Sequence, residues 1–362
     1  MIGGGIAGAA ACVALSWAGL ADGTAWFAPD QPFEDRVGES LPSTAGPILD
    51  RLGLSDLVTT GHRPANATFT AWGREALVER NAIVQLRGPG WVLDRPRFEK
   101  DLRARAQTVV QRRRETVLTA TAEDSVWTIT TEYAPPLRAR TLVDATGRAA
   151  AFVRKFATLR RDDRMAVAYA FPLHRDRTVD PTPATLIEAV ADGWWYAALL
   201  PDQRLSLAYF SDPDLIPRGL SGDLAMWRDL VSGSPNVSQW IEDAGFTLED
   251  APSVGSAGTT WIDPPVGMCH GASWMAIGDA AATFDPLSSH GMTTALWSGA
   301  RVVDALTPWL ANAEPDALTD YANAVSAGVL KFRTDRAQLY GRERRFTGLP
   351  FWDRRSQNFN LP

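Results

Sequence analysis

Gly3-Gly4-Gly5-Ile6-Ala7-Gly8, followed by the uncharged run Ala9-Ala10-Ala11-Cys12-Val13-Ala14-Leu15, is the stretch on which the fold turns. It fits G-x-G-x-x-G. In that pattern Gly3 permits a tight turn, Gly5 lets a pyrophosphate approach the backbone, and Gly8 allows close helix–strand packing. The first amides of the helix then offer hydrogen bonds and a positive dipole end to phosphate. Alone the motif is weak, because packing also produces an Ala-rich helix after glycines. Two departures accompany it. Only Met1 and Ile2 precede Gly3, so the first strand is expected either to be lost from the sheet or to need residues upstream. The acid that binds the ribose is expected about 20 residues on. Ala28 stands there, and Asp30 is the candidate substitute.

A second stretch, Gly278-Asp279-Ala280-Ala281-Ala282-Thr283-Phe284-Asp285-Pro286-Leu287, follows the apolar segment Trp274–Ile277. An acid at the end of a buried strand, here Asp279, can accept a hydrogen bond from a ribityl hydroxyl. Ser288-Ser289-His290-Gly291 then opens a helix whose free amides can face flavin N1 and the C2 oxygen, where reduced flavin carries negative charge. Gly-Asp by itself is commonly a turn with an Asp cap. Both motifs in one chain, in this order and nearly a chain length apart, point to FAD. His290 lies at the helix start, where the dipole lowers an imidazole pKa; it is a candidate base or a plain helix-cap residue.

The bulk properties bound the alternatives. A chain of 362 residues holds two domains. A net charge of -6 argues against nucleic acid. Cys12 and Cys269 are too few for a disulfide framework or a Cys-based zinc site, which fits a cytoplasmic protein. No metal site is read. The N-terminal run lacks a basic n-region and is broken by glycines, so it is not read as a signal peptide, and no stretch is apolar enough for a membrane span.

A helix is expected to follow the glycine turn as far as Leu20, then a short strand at Thr24–Ala28. Asp94 is the N-cap of a helix over 95–106 with Pro96 in its first turn. Thr116–Ala122 and Val126–Thr131 alternate about a turn and form a hairpin. Met165–Phe171, Trp194–Leu200 and Leu205–Phe210 read as one antiparallel sheet. The end of the chain is helical, with a basic run from Lys331 to Arg355 that usually marks a solvated face. The fold class is α/β: a Rossmann-like FAD-binding domain of glutathione-reductase type (1–60, 90–160 and 255–310), an antiparallel β-sheet substrate domain (61–89 and 161–254) and a C-terminal helical segment (311–362).

Several segments resemble the flavin-dependent tryptophan halogenase and monooxygenase superfamily. These are the first glycine motif, Arg36-Val37-Gly38-Glu39-Ser40-Leu41-Pro42, Asp144-Ala145-Thr146-Gly147-Arg148, and Gly278-Asp279 with Asp285-Pro286. Trp72-Gly73, Gly90-Trp91-Val92-Leu93-Asp94-Arg95, Gly193-Trp194-Trp195-Tyr196 and Phe351-Trp352-Asp353-Arg354-Arg355 look more specifically like the halogenase-like LodB-like group, some of whose members modify a tryptophan during tryptophylquinone biogenesis. The resemblance implies that Gly3, Gly5 and Gly8 hold the pyrophosphate and that Arg36 and Arg95 lie near the phosphates and ribityl chain. It also implies that Asp279 binds the ribityl and that Pro286 and Gly291 flank the isoalloxazine, and Asp285 beside them is a further candidate cofactor-binding residue.

Halogenases of this family place a lysine after the Gly-Glu-Ser segment, here within Thr60–Trp72. No lysine is there; the chain has only Lys100, Lys155 and Lys331. The two-tryptophan halogenase signature is also altered, since Trp194, Trp195 and Tyr196 stand before Leu200-Pro201. The expectation is therefore a monooxygenase that uses O2 to hydroxylate an electron-rich aromatic group, in a small molecule or in a tryptophan of a peptide or protein. Trp72 and Trp195, with Trp194 and Tyr196, are the candidate pocket residues; sheet core is the competing role. NAD(P)H or a separate flavin reductase would supply electrons. The competing readings are an FAD-dependent dehydrogenase or reductase without oxygen insertion, and a degenerate flavin-binding protein.

Overall fold

In the computed structural model, which describes residues 1–81 and 88–356, Ile2 bridges in parallel to Phe27 on one side and Asp144 on the other. Its amide donates to the Val143 carbonyl at 2.9 Å, and its own carbonyl accepts from Ala145 at 2.8 Å. Met1–Gly3 thus occupy the first strand's place in the sheet, a stretch too short to show any alternation. The sheet runs Arg112–Arg113, Trp26–Phe27, Ile2, Thr141–Asp144, Ala272–Ala276 and Val266–Cys269, parallel except for the last strand. The order reverses at Ile2: the chain first builds outward through residues 26 and 112, then returns to the other side at 141. Such a reversal opens a crevice at the carboxyl ends of the strands, where ligands of open α/β sheets bind.

The helix Ile6–Trp17 is buried continuously from Ile6 to Leu15. It lies between this sheet and the helix Gly291–Asn312, and its small residues permit that. A Cβ on Gly8 would stand 2.2 Å from the Gly3 carbonyl oxygen, and one on Gly299 would stand 2.7 Å from the Ala7 oxygen. Burial on both sides explains why the run carries no charge. The helix Arg95–Gln107 is capped as expected, Asp94 Oδ1 accepting from the Arg97 amide at 3.0 Å. The expected hairpin forms from Val117–Glu123 and Val126–Thr131, with Leu137–Ala139 as a third strand. Asp124 and Ser125 turn it at φ 47° and 65°, the left-handed pair that matches strand twist.

A seven-stranded sheet stands beside this body, in the order Ser253–Ser256, Ala166–Ala170, Leu205–Ser211, Gly193–Leu199, Thr185–Val190, Ala67–Ala71, Val78–Asn81. It is antiparallel but for the pairing of 185–190 with 67–71. Ser253–Ser256 belongs to it, so the sheet runs across the domain boundary drawn at 254–255. Residues 82–87, inside the 61–89 span, and 357–362, in the C-terminal segment, lie outside the described residues. Helices Leu224–Ser232 and Pro235–Asp243 cover one face, burying Trp195, Ala197 and Leu199; Trp194, Tyr196 and Ala198 point to the other.

Helices Asp316–Tyr340 and Pro350–Ser356 close the chain. The basic run there is a solvated face only in part: Lys331, Arg342 and Arg344 are exposed, while others are paired inside. Arg336 is 6% exposed and its guanidinium donates to Asp285, Asp162 and Asp163. Arg355 is paired with Asp212, Arg354 with Asp212 and Asp214, and Arg345 with Glu343. Buried charges of this kind persist only when paired and hydrogen-bonded, and here the pairing fastens the C-terminal helices to both sheets.

Candidate active site

The two glycine-containing motifs, from opposite ends of the chain, touch. Gly278 adopts φ 58°, and a Cβ there would meet Ala7 Cβ at 2.6 Å. Only glycine brings the 278–279 turn this close to the start of the first helix. Gly3 adopts φ 128° with no room for a side chain against Ala145. At Gly5, by contrast, nothing lies within 4 Å of an added Cβ, and this N-cap residue makes no side-chain cap. The helix therefore presents uncapped amides to an open crevice, which suits an anion.

Asp279 follows the buried strand Ala272–Ala276 at the lip of that crevice. Its side chain keeps 40% of its surface and stands 3.9 Å from Arg148. Surrounding protein raises its pKa, against the pull of Arg148 and Arg95. Asp144, fully buried, is spent on structure: its carboxylate accepts from Thr146, Phe152 and Val153 amides and so folds the 145–153 turn that delivers Arg148. Arg95 is partly buried. It donates to Glu99 and to the Val37 carbonyl, tying the 36–38 loop to the helix. Arg36 is exposed and lines a cavity with Arg95. Asp30 lies at the surface, held by Arg112 at 2.6 Å and Arg114 at 3.3 Å; the hydrogen bond from Arg112 lowers its pKa.

Gly291 has open space where a side chain would be, and Pro286 is partly exposed beside it. Asp285 differs from the expectation. It is 1% exposed, with Oδ1 accepting from the Leu287 amide and Oδ2 from Arg336 and Tyr340, so it shapes the 286–290 loop and offers no atom to a ligand. His290 caps the helix Gly291–Asn312 through its backbone and makes no side-chain cap. Its pKa is lowered, chiefly by loss of hydration, with Asp335 opposing the shift and Lys331 adding to it.

The tryptophans divide. Trp195 is fully buried, its Nε1 donating to Ser234 Oγ at 2.7 Å and its ring packed on Tyr209 and Trp227. It is core on the helix-covered face and cannot line a pocket. Trp72 is half-buried, donates to the Leu339 carbonyl at 2.9 Å, and meets Tyr340 and Trp352 edge-on. It braces the C-terminal helices.

Two residues escaped sequence reasoning. Arg103 donates to the Gly4 carbonyl at 3.0 Å and covers the Phe33 ring at 4.2 Å, placing a cation at the glycine turn. Its signal was the four-residue spacing Arg95, Glu99, Arg103 on one helix face. Glu39 is 2% exposed and lines a cavity of about 260 Å³ between the FAD-side elements and the seven-stranded sheet, with Arg36, Arg95, Phe171 and Leu200. No sequence rule makes an acid between Gly38 and Ser40 a buried one.

No protein-family model matches the chain. It is 24% identical over 333 residues to LodB of Marinomonas mediterranea, a proposed FAD-dependent oxidoreductase, covering 88% of this chain and 86% of that protein. It is 25% identical over 283 residues to a brominase of 1H-pyrrole-2-carbonyl peptidyl-carrier protein from Pseudoalteromonas luteoviolacea, covering 75% and 68% respectively. Among solved structures, QhpG, a peptidyl tryptophan dihydroxylase essential for tryptophylquinone cofactor biogenesis, shares the fold at a TM-score of 0.78 and 23% identity, over 100% of this chain and 79% of that one. The homologues are FAD-dependent oxidoreductases and halogenases, and the halogenase-like flavoprotein superfamily fits this chain, as its motifs led one to expect.

Proposed function

We propose that the protein is an FAD-dependent monooxygenase that hydroxylates an electron-rich aromatic ring, with a tryptophan side chain of a peptide or protein as substrate. The observation that carries the cofactor is the cradle at the glycine turn: main chain closes Gly3 and Gly8, while Gly5 faces open space. FAD fits these residues. Gly3, Gly5 and Gly8 would hold its pyrophosphate with Arg103 and Arg36 nearby, Asp279 would take the ribityl chain, and Pro286 and Gly291 would flank the ring. Reduced FAD, when bound, would react with O2 and supply the oxygen atom. The chain's part is to place the aromatic ring, exclude water and handle protons. His290, exposed at the helix start, is the residue we assign to the ring proton.

The strand order supports the glutathione-reductase subtype of the FAD domain, and we read 1–60, 90–160 and the part of 255–310 that follows Ser256 as that domain. NAD(P)H or a separate reductase would supply the electrons. The substrate rests on the relatives, one acting on peptidyl tryptophan and one on a carrier-protein-bound pyrrole. Halogenation is disfavoured because no lysine lines the cavity. Lys100 is exposed, Lys331 pairs with Asp335 at the surface, and Lys155 donates to the Ala120 carbonyl.

The test is to load the protein with FAD, record the visible spectrum before and after anaerobic NADH or NADPH, then admit O2 with a tryptophan-containing peptide. Mass spectrometry should find one or two added oxygen atoms on the tryptophan. Reductant consumption with an unmodified peptide and no oxygenated product would instead favour the dehydrogenase reading.

A further inference from the structure

The carboxyl end of the strand Trp26–Phe27, beside the glycine turn, is where a dinucleotide site keeps an acid for the ribose hydroxyls. Here Ala28 stands in that place, fully buried, and a Cβ on Gly4 would meet its Cβ at 2.8 Å. It brings no acceptor side chain, and its carbonyl is taken by Arg112 Nε at 2.7 Å. The nearby acid is taken as well. Asp30 Oδ1 accepts from Arg112 Nη2 at 2.6 Å and Oδ2 from Arg114 Nη1 at 3.3 Å. Arg103, on the Gly4 carbonyl, also feels the Asp30 charge. Three guanidiniums thus gather round one carboxylate, an excess of two positive charges. Arg36 adds to that excess at Arg103, while Glu99, the other acid within its field, is paired with Arg95. Guanidinium forks match the geometry of phosphate. At this end of a dinucleotide site a carboxylate reads a free ribose 2′-hydroxyl, and arginine accommodates a 2′-phosphate.

We propose that this rim is a phosphate subsite that seats the adenosine end of a 2′-phosphorylated dinucleotide, the NADP(H) class, with Arg112 and Arg114 on the phosphate. The assignment rests on reading the crevice as a dinucleotide site. The adenosine half of FAD needs the same seat, so the two ligands compete for it. Asp30 is then the phosphate's rival for Arg112 and Arg114 and not a ribose ligand; its side chain keeps 63% of its surface, so it can turn to water when the phosphate arrives.

The experiment compares wild type with Arg114→Ala and Asp30→Asn, both at exposed positions where a substitution leaves the fold intact. NAD+ and NADP+ are titrated by calorimetry into apoprotein, then by flavin fluorescence into protein loaded with FAD. Wild-type apoprotein should prefer NADP+ over NAD+ by about tenfold or more, the effect of charge-assisted hydrogen bonds to one phosphate. Arg114→Ala should shrink that preference. Asp30→Asn should widen it, because the rival carboxylate is gone; an Asp30 that bound ribose would lose affinity for both nucleotides instead. NADP+ should also release FAD, seen as rising flavin fluorescence. Equal affinity for the two nucleotides, weaker NADP+ binding in Asp30→Asn, or NADP+ binding that leaves FAD in place would overturn the proposal with the flavoenzyme reading intact. NADP+ preference in a protein that takes no FAD would keep the proposal and sink the flavoenzyme reading. A chain that binds neither nucleotide nor FAD would sink both.

Discussion

Gly5→Ala separates a glycine kept for a ligand from one kept for the fold. Gly5 sits at φ -79° and ψ -171°, extended backbone that alanine adopts freely, and its added Cβ meets nothing within 4 Å. Restricting the unfolded chain would stabilise the variant by roughly 0.4–1 kcal/mol. Alanine is a poorer N-cap than glycine, a cost of similar size. The two offset, so apoprotein stability should stay within about 1 kcal/mol of wild type. Binding should not. A methyl group between helix amides and a pyrophosphate removes charge-assisted hydrogen bonds worth about 1.5–3 kcal/mol each, or roughly tenfold to 150-fold in Kd. Gly8→Ala is the control. Its Cβ would stand 2.2 Å from the Gly3 carbonyl oxygen, main chain that cannot step aside, and overpacking of this kind costs about 1–3 kcal/mol or more. Urea midpoints of the apoproteins and fluorescence titrations with FAD give both quantities. Wild-type FAD affinity in Gly5→Ala would refute the reasoning, leaving the turn a device of packing alone.

Trp195→Phe should lower stability by about 1–3 kcal/mol, through the lost Ser234 bond and a smaller ring in the core, while FAD affinity holds; lost turnover at an unchanged melting temperature would return Trp195 to the site. Arg336→Met leaves Asp285, Asp162 and Asp163 buried without their shared cation and should cost about 3–5 kcal/mol. Burial already raises the Asp285 pKa in the fold. A carboxyl raised in this way stabilises the fold while protonated and stops doing so as pH rises through its folded value. Losing Arg336 raises it further, so denaturant midpoints should show the variant falling further behind wild type at pH 8 than at pH 5. His290→Ala, which removes no side-chain hydrogen bond, should leave melting and FAD binding unchanged yet lower turnover by about 100-fold or more; full turnover would end its assignment as a base.

What was legible in the sequence was what glycine, caps and alternation dictate. Gly3 and Gly8 have no steric alternative, Asp94 caps by a local bond, and the hairpin at 117–131 declares itself by its period. Less could be read where both sides of an element are buried. Trp194-Trp195-Tyr196 is apolar without a break, so the period of two that sends Trp195 to the helices and Trp194 and Tyr196 to the cavity side is invisible. Ile2 is a strand only because Phe27 and Asp144 flank it. Asp285 was misplaced for a different reason: its partners, Arg336 and Tyr340, lie on a helix distant in sequence, and no local pattern reports a pairing of that range.

The first helix has a history as well as a place. Its covering comes from segments made at very different times: Arg95–Gln107 early, Ala145 midway, and the Gly278–Ala280 turn with Gly291–Asn312 late. During synthesis from the amino end, an unbroken apolar helix must wait for most of the chain before both its faces are sheltered. Contacts so far apart in sequence close slowly, and what is exposed meanwhile is sticky. Slower elongation late in the chain, or a shortage of holding chaperones, should therefore reduce the yield of folded protein more than any change to the finished structure's surface.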